Sequence, residues 1–118
     1  QIIDASIFVH RELGPGLLES VYQCCLSEEI KLKGLKVLEE VYLPVSYRGK
    51  RLDKDFRIDI LVEDEIVIEV KAVDIIVPVH EAQLLSYLKL SNKWLGFLLN
   101  FNVSIMKDGI RRRVNGYR

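Results

Sequence analysis

The chain is poor in cysteine, and the two it has, Cys24 and Cys25, are adjacent inside a helical pattern where they are badly placed to bond to one another. That excludes a disulfide scaffold, favours a reducing compartment and leads us to expect a cytoplasmic protein. The pair reads as small apolar filling of a helix face. Histidine is equally scarce, with only His10 and His80, so a His-rich zinc site is not expected. His80 reads as a surface or capping residue. With 3 prolines and 7 glycines in 118 residues, nothing looks low-complexity or disordered. No apolar run approaches the roughly 18 residues of a membrane span and no signal peptide is visible, so no membrane association is expected. Charge of one sign is missing too: 17 basic residues face 17 acidic ones. Bulk electrostatics therefore neither invites nor excludes a polyanionic partner, and any nucleic-acid contact must come from local patches. The clearest patch is Arg111, Arg112 and Arg113, followed by Arg118.

What is present is apolar residue, 49% of the chain, enough for a real core but in a chain too short for two domains, so residues 1–118 are expected to form one. Ile2 to Leu13 carries Ile3, Ile7, Phe8 and Val9 at helical spacing and ends at Gly14-Pro15-Gly16. Residues 17–32 predict a second helix with the stripe Leu18, Val21, Tyr22, Cys25, Leu26 and Leu32, closed by Gly34. Val37 to Tyr47 reads as a strand whose Pro44 argues for an edge or a bulge. Pro78 opens a third helix with His80, Gln83, Leu84 and Tyr87 on one face. Residues 94–101 form an apolar, interior strand, and residues 104–114 a last hairpin around Asp108-Gly109. The order is helix, helix, three strands, helix, strand, then a C-terminal hairpin: an α/β (α+β) chain with one mixed sheet and helices against it.

The stretch that organises the rest is residues 56–73, FRIDILVEDEIVIEVKAV. Both of its strands alternate, the sign of a pleated segment with one face buried. Phe56, Ile58, Ile60 and Val62 are expected on that face of the first strand, and Ile66, Ile68, Val70 and Ala72 on that face of the second. The opposite faces carry Arg57 and Asp59, and Glu69 and Lys71. A three-residue turn of Glu63, Asp64 and Glu65 pairs Val62 with Ile66, sets Asp59 opposite Glu69 and sets Arg57 opposite Lys71; a one-residue slip would put Asp59 against an aliphatic side chain. Facing carboxylates destabilise a sheet unless a cation lies between them, and oxygen ligands without a His or Cys cluster point to Mg²⁺ or Mn²⁺. The competing reading of the same four residues is a solvated cross-strand charge lattice.

Other candidates have equally plain alternatives. Glu19 in a first helical turn suits the helix dipole. Gln83 and Tyr87, one turn apart, either act on one ligand or are a half-buried amide and a core-edge aromatic. Arg111 and Arg113 alternate with Arg112 on a predicted strand, so one side can meet phosphates, or the run is a solubilising edge that resists pairing.

Asp59, then Glu69-Val70-Lys71, then a helix with Gln83-Leu84-Leu85-Ser86-Tyr87 resembles the D…ExK…QxxxY signature of the RecB-like branch of the PD-(D/E)XK nuclease superfamily. The segment GPGLLESVY, with Gly16, Glu19 and Tyr22, resembles the GxxExxY family assigned to it. Ile58 stands where the superfamily's name has Pro. The resemblance implies a restriction-endonuclease-like core and a metal-dependent nuclease using Mg²⁺ or Mn²⁺. It implies Asp59 and Glu69 as acidic metal ligands, the main-chain carbonyl of Val70 as a third, and Glu19 completing the shell. It implies Lys71 orienting or deprotonating the attacking water, and Gln83 and Tyr87 positioning the nucleic acid or the lysine. The nucleic-acid-facing set is then Gln83, Tyr87, Arg57, Arg111 and Arg113, with DNA ahead of RNA as partner. Two other classes stay open: a nucleic-acid-binding or regulatory module that keeps the fold without turnover, and an assembly protein forming a homo-oligomer.

Overall fold

In a computed structural model, which describes residues 1–116, the first helix α1 runs Ile2–Leu13. Ile2, Ala5 and Val9 recur at three- and four-residue intervals and form its buried stripe. Helix α2 spans Glu19–Leu32 and begins two residues later than expected, because Leu18 keeps an extended backbone as the residue before it. Its buried face is Tyr22, Leu26 and Ile30. Leu18 and Leu32, placed in the stripe from sequence, are 74% and 71% exposed. Leu18 lies outside the helix, and Leu32 is half a turn past Ile30.

The strands are β1 Val37–Tyr47, β2 Lys50–Val62, β3 Ile66–Lys71, β4 Leu95–Asn100 and β5 Ile110–Val114, with α3 at Pro78–Ser91. They form one sheet in the order β1-β2-β3-β4-β5. All pairs are antiparallel except β3 with β4, whose crossover is α3. This is the restriction-endonuclease-like mixed sheet expected. β1 lies at an edge, and its register shifts between Pro44 and Ser46, where proline removes a ladder donor. The C-terminal hairpin is β4 with β5 rather than two arms around Asp108-Gly109. Residues Met106–Gly109 form a short 3₁₀ turn that delivers β5, and Ser104 and Ile105 make no strand. Gly109 is required there, because a Cβ would collide with the Asn100 carbonyl.

The expectation of a single buried face is corrected. One apolar cluster joins Ile60, Val62, Ile68 and Val70 to α1 and α2; a second joins Ile58, Leu61, Val67 and Leu98 to Leu84 and Leu88 of α3. Next to the turn the strands read Ile60-Leu61-Val62 and Ile66-Val67-Ile68, apolar on both sides, as strands covered on both faces do. Phe56 and Ile58 also belong with the α3 cluster and not with Ile60. The strand changes face at Asp59, opposite Glu40, whose φ is 52°.

Candidate active site

Asp59 sits where the sheet divides. The β2–β3 ladder pairs Val62 with Ile66, Leu61 with Val67 and Ile60 with Ile68, the register expected of the Glu63-Asp64-Glu65 turn. It then stops one pair short of Asp59 and Glu69, and side chains take over. The Asp59 N–H donates to Glu69 Oε2 at 3.0 Å, and the Val70 N–H donates to Asp59 Oδ2 at 2.8 Å. Each carboxylate thus satisfies a backbone donor on the opposite strand, which holds the two acids against one another. Arg57 and Lys71, expected to pair, do not: β2 has left β3 by then, and the cross-strand neighbour of Arg57 is Tyr42. The N–H and C=O of one residue leave a strand on the same edge, so the Val70 carbonyl emerges on the side of Asp59, where β2 no longer bonds it.

Three other elements close round this pair. From α2, Gln23 donates its side-chain amide to the Asp59 carbonyl at 3.3 Å. Glu19, one turn earlier, is exposed and adds its negative charge to the field at Asp59. Glu19 and Ala72 share the lining of one surface cavity of about 420 Å³. From α3, Gln83 Nε2 donates to Tyr87 Oη at 3.1 Å. The Tyr87 ring tilts on Phe56 of β2 with centroids 4.8 Å apart. From β4, the buried Asn100 accepts the Val73 N–H at 3.0 Å and donates to the Val73 carbonyl at 2.9 Å. The Lys71 carbonyl accepts the Phe101 N–H at 2.9 Å, so the end of β3 is held to β4 at Lys71 and at Val73. Gln23 and Asn100 did not emerge from sequence. Gln23 is legible only as the residue one turn after Glu19, and Asn100 only as a polar residue ending an apolar strand.

A comparison with protein families matches residues 1–113 to the PD-(D/E)XK nuclease superfamily. The chain belongs to that superfamily. No curated protein and no solved structure gives a match.

In this PD-(D/E)XK chain the acidic pair is strongly perturbed. Glu69 is 4% exposed, and burial, followed by the charge of Asp59, raises its carboxyl from 4.5 to about 8. Asp59 is also raised, again chiefly by burial, against the opposing pull of the Val70 N–H, Arg57 and Lys71. Burial and then the charges of Glu69 and Asp59 push the Tyr87 phenol up, which keeps it a neutral donor. Two carboxylates, Glu69 buried and Asp59 half-buried, that resist ionising together beside a strand-edge carbonyl are a donor set that fits a hard divalent cation. Among the described residues no three His, Cys, Asp or Glu side chains converge into a ready-made cage; Glu19 acts on Asp59 through its charge.

The structure spreads the remaining basic candidates. Arg57 lies 3.7 Å from Glu40 and 3.9 Å from Asp59. Arg113 is paired with Glu81 in the first turn of α3. Arg111 donates to the carbonyls of Asp108 and Ile110 at 3.0 and 3.2 Å. Cross-strand register links Glu69 to Leu98 and Leu98 to Arg111, which sets Arg111 two strands, about 10 Å, from the acidic pair. Arg112 alternates to the other side and is exposed. Arg118 lies outside the described residues. His80 caps α3, accepting the Val77 N–H on Nδ1 at 3.1 Å.

Proposed function

We propose that this protein is a metal-dependent nuclease of the GxxExxY type that hydrolyses phosphodiester bonds of nucleic acid, DNA before RNA, in the cytoplasm. The observation that carries the reading is the facing pair Asp59 and Glu69, held by reciprocal backbone hydrogen bonds at 3.0 and 2.8 Å in a site where burial opposes the ionisation of both. Asp59, Glu69 and the Val70 carbonyl would hold Mg²⁺ or Mn²⁺, with Glu19 of α2 adding its negative charge to the site. Such a cation polarises the phosphoryl oxygen and acidifies water. Lys71 sits on the same face of β3 as Glu69, and its charge already acts on both carboxylates. It makes no ion pair with either among the described residues, so its ammonium is available to a phosphate oxygen as negative charge develops there. Gln83 and Tyr87 present an amide and a neutral phenol at the same mouth, suited to orient the phosphate or the lysine.

The test is cleavage of single- and double-stranded DNA and RNA with Mg²⁺ or Mn²⁺ by the wild-type chain and by Asp59→Asn, Glu69→Gln and Lys71→Ala. Each substitution is expected to remove cleavage, the first two by deleting an anionic ligand at constant shape. Cleavage that survives all three, or a wild-type chain inert on every substrate, sinks the proposal.

A further inference from the structure

The β1–β2 ribbon continues beyond the point where β3 leaves it. Ladder pairs run on from Val41–Ile58 through Leu43–Phe56 to Tyr47–Lys50 with no third strand alongside among the described residues. Its root is fastened to the active site, since Asp59 is on it and Phe56 packs on Tyr87. Val41, Leu43 and Phe56 pack on the α3 cluster; beyond them no residue of the ribbon joins a core. Lys50 stands nine residue steps from Asp59, which at about 3.3 Å per residue is a reach of about 30 Å.

The composition of this arm differs from that of the chain. Residues 41–58 contain Arg48, Lys50, Arg51, Lys54 and Arg57 against Asp53 and Asp55, a surplus of three positive charges in a chain whose total is zero. Arg57 is engaged at the root and Arg51 lies 3.6 Å from Asp55. Arg48, Lys50 and Lys54 are exposed and form no ion pair among the described residues. Tyr42 and Tyr47 are 63% and 65% exposed. Unpaired strand edges invite another strand, but here Pro44, the register shift beside it and the flanking cations disfavour that.

We propose that the arm is a clamp for B-form duplex DNA, lying in the major groove and setting Arg48, Lys50 and Lys54 against backbone phosphates on one side of the hydrolytic centre. This rests on the nuclease reading for the position of that centre. A two-stranded ribbon fits a major groove about 12 Å wide, whereas the major groove of A-form RNA is deep and narrow. A reach of about 30 Å spans about nine base pairs at 3.4 Å each. The clamp also resolves the neutral net charge: the cations needed for phosphate contact are concentrated where the duplex would lie, and the acidic surplus is elsewhere.

The test uses the full chain in EDTA, so that no cleavage intervenes, and follows binding to a 30-base-pair DNA duplex by fluorescence anisotropy across a salt series. The triple variant Arg48→Gln, Lys50→Gln, Lys54→Gln is expected to bind roughly tenfold or more weakly and to lose about one unit of salt slope per residue removed. Its melting temperature and Mg²⁺ response should match wild type, and the preference for duplex DNA over RNA duplex and single strands should shrink with the affinity. Unchanged affinity and slope overturn the clamp, as does equal wild-type affinity for an RNA duplex. A variant whose only change is a shift of the free protein from dimer to monomer in sedimentation also overturns it, in favour of a self-interface. Lost binding in a protein that cleaves nothing leaves the clamp standing and removes the nuclease reading; intact binding with cleavage does the reverse.

Discussion

Asp59 and Glu69 oppose folding whenever both are ionised without a cation, and this fixes the pH dependence of the metal-free protein. The folded-state carboxyl of Glu69 titrates near 8, above its ordinary 4.5, and that of Asp59 is shifted in the same direction. A group raised on folding binds its proton more tightly in the native state, so its contribution to stability is complete below the unfolded value and is lost as pH rises through the folded one. In EDTA the melting temperature should therefore fall between about pH 4.5 and 8. Glu69→Gln, which cannot ionise, should flatten that slope and melt higher than wild type at the alkaline end. Differential scanning fluorimetry from pH 4 to 9 checks this. A melting temperature that rises over the same range would show a charge lattice in which Arg57 and Lys71 neutralise the acids.

At the scale of elements, the unit from β3 through α3 to β4 brings most of the candidate site residues together, Asp59 on β2 apart. Lys71 ends β3, Gln83 and Tyr87 lie on α3, and Asn100 at the end of β4 reaches back to bind both main-chain polar groups of Val73. Asn102 extends the same tether, donating to Asp74 at 3.0 Å. Gly96 lets α3 approach β4, since a Cβ there would come within 2.8 Å of Leu84 Cδ1. Asn100→Ala strands the Val73 N–H and C=O and should cost about 1–3 kcal/mol. Because the exit of β3 then loosens beside Lys71, it should also lower turnover while sparing the cation response. Asn100→Asp keeps the acceptor and loses the donor, so it should fall between. Denaturant titration gives the stability, and cleavage rates with Mg²⁺ thermal shifts give the remainder. A variant of unchanged turnover would make Asn100 structural only.

For the whole molecule, two apolar clusters on opposite faces of one sheet converge at the place where β2 and β3 part. The strand that carries Asp59 is engaged from both layers, by Gln23 on the Asp59 carbonyl and by Tyr87 of α3 on Phe56. A cation bound there would stabilise only the assembled arrangement. Mg²⁺ at 100 times its dissociation constant should add about 2.7 kcal/mol to the folded state, seen as a higher melting temperature than in EDTA. Asp59→Asn should abolish that shift, and Lys71→Ala should preserve it. A wild-type protein indifferent to Mg²⁺ and Mn²⁺ would remove the metal from the site.

The sequence by itself determined the element order as far as β4, the edge position of the Pro44 strand, and the turn register that pairs Val62 with Ile66. These are local matters, governed by hydrophobic periodicity and turn length. It also carried the superfamily resemblance, since Asp59, Glu69, Lys71, Gln83 and Tyr87 stand in a recognisable order. Only the tertiary structure decided that both sheet faces are covered, because that depends on which helix packs where; the apolar flanks of the turn were a readable sign of it. Only the tertiary structure showed that the ladder stops at Ile60 and Ile68 and that carboxylates replace it, since divergence of strands arises from packing and twist rather than from any residue preference. Burial, and with it the raised Glu69, follows from the same convergence of layers, which no local pattern contains.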